Sequence, residues 1–142
     1  MGTPLQNVYD WFFLKVPDEN FSGKEEIVFA LLQIAIGYSY KTVPESLDFV
    51  LDEPNEGDEI SFDGNFIESL GYDTVQLLSL VMAKEFYRRT VSKLASLKQH
   101  VGTQAFNKLP DSVKQLNEAR TRLSDLESEI YSFRQEFYKY PH

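Results

Sequence analysis

Cysteine is absent from this 142-residue chain, which removes disulfides, thiolate metal sites and cysteine nucleophiles at once. Histidine is scarce: only His100 and His142 occur. Neither has a second histidine at metal spacing or an Asp and Ser beside it. Gly57, Gly64 and Gly71 stand alone, so no phosphate-cradling loop or nucleophile elbow can be read. The longest nearly unbroken apolar run, Ile27 to Ile36, is interrupted by Gln33 and ends near Gly37, short of the ~20 residues a bilayer requires. No membrane span is expected. The first residues carry no basic n-region or small-residue cleavage site, and Met1-Gly2 lacks a Ser or Thr at position 6, so neither export nor myristoylation is expected. Carboxylates are plentiful, but no pattern brings two of them into one pocket. The expectation is a chain without enzymatic activity, cofactor or metal.

Positive charge is also in short supply, with 14 Lys and Arg against 22 Asp and Glu and a net charge of -8. A protein that clamps duplex DNA usually shows the reverse balance, because bound cations release counterions from phosphates. The local exception is Lys84, Arg88, Arg89 and Lys93, where 84/88 and 89/93 stack along one helix. A solvated face with Glu85 and Arg89 as an i,i+4 pair is the plain reading, and a binding patch at Arg88 and Arg89 the sharper one.

What is present is a 42% hydrophobic composition, enough for one domain over residues 1–142 that buries roughly two-thirds of its unfolded surface. Thr3-Pro4 reads as N-cap and first helical position, followed by the stripe Leu5, Val8, Tyr9, Phe12, Phe13. A turn through Pro17, Asp18 and Asn20 to Gly23 leads to Ser22 and Glu25 at capping-box spacing. The helix that follows is apolar nearly all round, which predicts burial. Between Val43 and Phe66 the period becomes two: Leu47, Phe49 and Leu51, then Ile60 and Phe62, flank the turn-rich Glu53 to Gly57. That predicts a small β-hairpin insertion over 43–66, although Pro44-Glu45 could instead open a short helix. The acidic stretch fails as a calcium loop, since Pro54 and Glu59 occupy the third and eighth positions counted from Asp52.

A third helix is predicted from about Asp73, as a cap, to Val101. Its first half is apolar on several faces, which predicts a central strut. Its second half narrows to the seam Leu80, Ala83, Tyr87, Thr90, Leu94, Leu97, Val101. A fourth, from Asp111 or Ser112 to Tyr138, repeats the rhythm through Leu116, Ala119, Leu123, Leu126, Ile130, Phe133, Phe137 and Tyr140. The linker between them, "KQHVGTQAFNKLPDS", holds Gly102 and Pro110, so the two seams fold back as a long antiparallel hairpin. From Asp111 to Tyr138 the helix would span about 40 Å, longer than so small a domain is wide. Patterning marks a buried face without naming what buries it, and helix three alone could cover the stripe. The reading carried forward is that Phe133, Phe137, Tyr138 and Tyr140 end in a projecting tip covered by another subunit. The fold class is therefore mainly α, four helices with a long hairpin and a small β-hairpin.

The segments "LQNVYDWFFLKV", "FIESLGYDTVQLLSLVMAKEFYRR" and "LKQHVGTQAFNKLPDSVKQLNEARTRLSDLESEIYSFRQEFYKY" resemble the head-to-tail connector, or neck adaptor, proteins of tailed bacteriophages. The family order is a "VYD-F" helix, an "LL--AI" helix, a helix ending in aromatic and charged residues, a "K---G---F" linker and a long charged final helix. The matching positions here are Val8, Tyr9, Asp10, Phe12; Leu31, Leu32, Ala35, Ile36; Met82, Glu85, Phe86; Lys98, Gly102, Phe106; and Leu116, Arg120. The likeness covers most of the chain outside 43–66. It implies a structural virion protein assembled in the host cytoplasm: a homo-oligomeric, typically dodecameric ring beneath the portal protein. Such a ring joins capsid to tail, contacts other neck or tail proteins, and lets DNA pass without sequence-specific binding. An acidic chain suits a conduit through which a polyanion must slide. The expected contact residues are Phe49, Leu51, Ile60 and Phe62 of the hairpin, Arg88 and Arg89, Phe106 in the linker, and Phe133, Phe137, Tyr138 and Tyr140. The alternative is a non-viral helical-hairpin interaction module, such as a small oligomeric regulator.

Overall fold

Proline at position 4 fixes φ at -62° and ends an extended lead-in. The computed structural model describes residues 2–17, 21, 23–57 and 60–139, without the side chains of 138 and 139. Helix α1, Leu5–Lys15, buries Leu5, Val8, Tyr9 and Phe12. Thr3 is not its cap. The Thr3 hydroxyl accepts the Leu70 N–H at 2.8 Å, while its backbone pairs with Phe66 and Glu68. The lead-in thus lies along a strand, and tertiary pairing outcompetes local capping. Ser22, expected as the cap of the second helix, falls outside the described residues; α2 runs Glu25–Ser39 with two glutamates in its first turn, a favourable placement against the helix dipole. All-round burial of α2 does not hold. Leu31, Leu32 and Ala35 are buried, but Ile27, Ile34 and Tyr38 are more than a third exposed, because only β1, β2 and the later helices cover one side.

The hairpin is present with a shifted second strand. β1, Phe49–Leu51, pairs antiparallel with β2, Gly64–Phe66, in the register Phe49 to Phe66 and Leu51 to Gly64. Ile60 and Phe62, expected in that strand, lie in the long connection instead. The register follows from Gly64: a Cβ there would collide with the Val50 carbonyl oxygen and stand 2.8 Å from Leu51 Cα. Only glycine permits this backbone approach. Pro4 bridges Asn65 on the other edge of β2, so β2 is central. The 43–66 region is therefore part of the main core, which includes Val43, Leu47 and Phe66, and not an appendage.

Helix α3, Tyr72–Val101, begins at Gly71. Asp73 sits in its first turn without capping it. Glu45 does that work from a distance, accepting the Gly71 N–H at 2.5 Å and the Thr74 hydroxyl at 2.7 Å; Pro44-Glu45 lies in a bend and opens no helix. Every residue from Thr74 to Ala83 is buried: the apolar faces as expected for a central strut, and the polar Thr74, Gln76 and Ser79 with them. The linker is not irregular. Gly102, at φ +90° and ψ 155°, closes α3 and opens a short helix α4, Thr103–Asn107. Then α5, Pro110–Lys139, returns along α3. The seams pair over most of their length: Leu94 lies with Leu116 in one cluster, and Leu80 and Ala83 with Leu126, Ile130 and Phe137 in the other, while Val101, expected at the end of the seam, is exposed.

The direction of this hairpin overturns the projecting tip. Phe137 is buried in the main core and Phe133 packs against it, because an antiparallel return brings the end of α5 back beside the start of α3. Tyr140 lies outside the described residues, as does the side chain of Tyr138. What projects is the opposite end.

Candidate interaction surfaces

Tyr87 is the last α3 residue packed against the main core; further on, Leu94, Phe106 and Leu116 of α3, α4 and α5 form a separate small cluster flanked by Val91, Leu97 and Val113. From Tyr87 to Val101 the rise is about 20 Å. The arm ends in three residues at four-residue spacing. Gly102 N–H donates to the Lys98 carbonyl and Phe106 N–H to the Gly102 carbonyl, each at 2.9 Å. The Lys98 ammonium lies 5.9 Å over the Phe106 ring. The dihedrals of Gly102 belong to a region that other residues avoid. Phe106 is thereby folded into the arm as its plug, only 2% exposed. It is covered within the chain, so it is a support for the arm and not a free contact. The apolar groups presented at the arm's end are Val101 and Leu109, about 40% exposed.

The other expected contact residues divide in the same way. Phe49 stacks edge-on with Phe29 at 5.8 Å and Phe66 at 6.3 Å, and Phe62 meets Phe29 at 5.5 Å. Phe29, Phe49, Phe66 and Leu51 face the core, whereas Phe62 lines a cleft beside α1. Ile60 and the unexpected Val50 are turned outward, at 54% and 62% exposure. Arg88 makes a two-pronged contact with Glu85, Nε to Oε2 at 2.9 Å and Nη2 to Oε1. Arg89 reaches the same carboxylate at 3.4 Å. The Arg88 hydrogen bond is the main reason that the Glu85 carboxyl is held below its ordinary range, against the opposing effect of burial. Both arginines are exposed, with much of their charge already answered.

Three further surfaces are present. Trp11 and Leu14 point away from the buried stripe of α1, and Trp11 meets Tyr72 edge-on at 5.9 Å. Leu14 and Tyr72 are strongly exposed. Beside them the Lys15 ammonium donates to Gln76 Oε1 at 3.2 Å and lies 5.4 Å over the Trp11 ring. Burial is the largest influence lowering its pKa. The signal was available: at helical spacing Leu14 falls far from Val8 and Phe12, and Trp11, three residues before it, on the flank of their stripe.

A cleft of about 660 Å³ opens between α1, the start of α2 and the β1–β2 connection, lined by Tyr9, Phe13, Phe21, Ile60 and Asp63 among others. The Tyr9 hydroxyl donates to the Phe62 carbonyl at 2.9 Å. Burial, followed by the Asp63 carboxylate, pushes its phenol well above the ordinary range. It therefore acts as a fixed donor that anchors the connection. Asp52 N–H donates to the Asp63 carbonyl at 2.8 Å, so the two ends of the acidic stretch extend the strand ladder. A second, shallower groove of about 300 Å³ lies where α2, α3 and α5 meet, lined by Tyr38, Lys84, Glu127 and Tyr131 among others.

Among the described residues no group of three metal-ligating side chains converges, and no helix is long and apolar enough to cross a membrane. No family model, curated protein or solved structure matches the chain.

Proposed function

We propose that the chain is a subunit of the head-to-tail connector of a tailed bacteriophage, a structural virion protein that forms a ring below the portal and surrounds the DNA channel. The observation that carries the reading is the arm. A helical pair that leaves the main core for about 20 Å holds only a small cluster of its own. It suits head-to-tail contacts that close a ring of identical copies. The resemblance adds to this, because the linker residues that carry it, Lys98, Gly102 and Phe106, are those that build the arm's end. The charge of -8 fits a wall past which DNA slides, since phosphate neutralisation would be adhesive.

Native mass spectrometry, alone and with a portal ring, tests the reading. The expected result is a closed ring, twelve copies by the resemblance, formed alone or on the portal. A stable dimer indifferent to the portal would overturn it and favour a helical-hairpin interaction module.

A further inference from the structure

The groove between α2, α3 and α5 gathers positive charge around one aromatic ring. The Lys84 ammonium lies 5.1 Å and the Arg134 guanidinium 5.0 Å from the centre of the Tyr38 ring. Arg134 donates to the Tyr38 hydroxyl at 3.0 Å and to Thr42 Oγ1 at 3.3 Å, which fixes it in place. Tyr131, 68% exposed, forms the outer wall. Among the groove's lining residues Lys84 and Arg134 outnumber the one acid, Glu127, on a chain whose net charge is -8. The counterpart is on the same chain but elsewhere. The connection after β1 carries Asp52, Glu53 and Glu56, all exposed, with no basic residue between Asp52 and Asp63. It is anchored near the start of α2 through Phe62 on Phe29, whereas Tyr38 lies about 13 Å further along that helix.

We propose that this groove receives the acidic β1–β2 connection of a second copy, with Asp52, Glu53 and Glu56 set against Lys84 and Arg134. The inference rests on the ring reading, in which each copy presents one surface forward and a different one back. Complementary charge then orients the copies and disfavours like-to-like pairing. A nucleic acid is the weaker occupant, because the chain's net charge of -8 opposes a long polyanion more than it opposes one short segment with three carboxylates.

The absence of cysteine makes the test clean. Chains carrying Asn55→Cys and Gln135→Cys are mixed and treated with a short bis-maleimide, with circular dichroism verifying each fold. Cross-links between the two are expected, and none between Asn55→Cys and Glu118→Cys on the arm. Adding Lys84→Glu to the Gln135→Cys chain is expected to lower the yield about tenfold, and Glu53→Lys with Glu56→Lys on the other chain to restore it. Rings that form without this cross-link, or a cross-link indifferent to the charge swap, overturn the inference and leave the connector reading intact. A charge-dependent cross-link in a chain that forms no ring and ignores the portal supports the contact and overturns that reading. A short single-stranded oligonucleotide that shields Gln135→Cys from maleimide, with no cross-link between copies, assigns the groove to nucleic acid and overturns the proposal.

Discussion

Replacing Phe106 by alanine empties the end of the arm. Burying a phenylalanine is worth about 1.5–3 kcal/mol by transfer alone, and Phe→Ala in a closed core costs about 3–5 kcal/mol once the cavity is included. The cluster of Leu94, Phe106 and Leu116 is small and open-ended, with Val101 and Leu109 exposed beside it, so it can partly collapse. The expected cost is therefore about 2–3 kcal/mol. It falls on the arm, since Leu94, Phe106 and Leu116 form a cluster separate from the main core. At about 1.4 kcal/mol per decade, native-state amide exchange in the arm should accelerate roughly 30- to 150-fold. Exchange in buried α2 amides around Leu31 and Leu32 should hardly change. Phe137→Ala, in the main core, is the contrast and should speed exchange in both regions. Unchanged exchange in the arm, or equal acceleration everywhere for Phe106→Ala, would refute the idea of an independently stabilised arm.

Gly102→Ala should cost about 1–3 kcal/mol through backbone strain at φ +90° alone, since nothing lies within 4 Å of the added Cβ; exchange in α4 and the adjoining turn reads it. Gly64→Ala meets backbone atoms of Val50 and Leu51 and is expected to destabilise the whole chain by about 2–4 kcal/mol in urea unfolding. Glu45→Ala removes the acceptor of two hydrogen bonds at the start of α3 and should cost about 1 kcal/mol by the same assay. The Glu85 carboxyl titrates below its ordinary 4.5 when folded, so the unfolded chain takes up its proton first and folding is favoured above that value. The melting-temperature gap between the native chain and Glu85→Gln should hold steady from neutral pH down to about 5.5 and close as pH falls through and below 4.5; a constant gap down to pH 3 contradicts the pairing.

The long-range logic of this fold is legible wherever one periodicity acts alone. The seams of α3 and α5 pair over most of their length as their spacing requires, and the mainly apolar stretch from Thr74 to Ala83 is the strut it reads as. Misreadings arise where two segments compete for the same groups. Thr3 has a capping hydroxyl, but β2 and Leu70 claim its polar atoms. Ile60 and Phe62 alternate like a strand, yet the glycine that lets backbones approach is Gly64. Which end projects is not legible in the sequence, because helix length gives the overhang without its direction. Direction depends on which half of α3 meets α1 and α2, and that is a property of the packed core. The Tyr38 groove had no linear signal at all, since Tyr38, Lys84 and Arg134 come from three helices.

Electron microscopy of the chain mixed with a portal ring tests the assembly claim most directly. The account predicts an added annular layer in which the α3–α5 arms reach neighbouring copies or the portal. A bare portal beside compact, separate particles with free arms would contradict it.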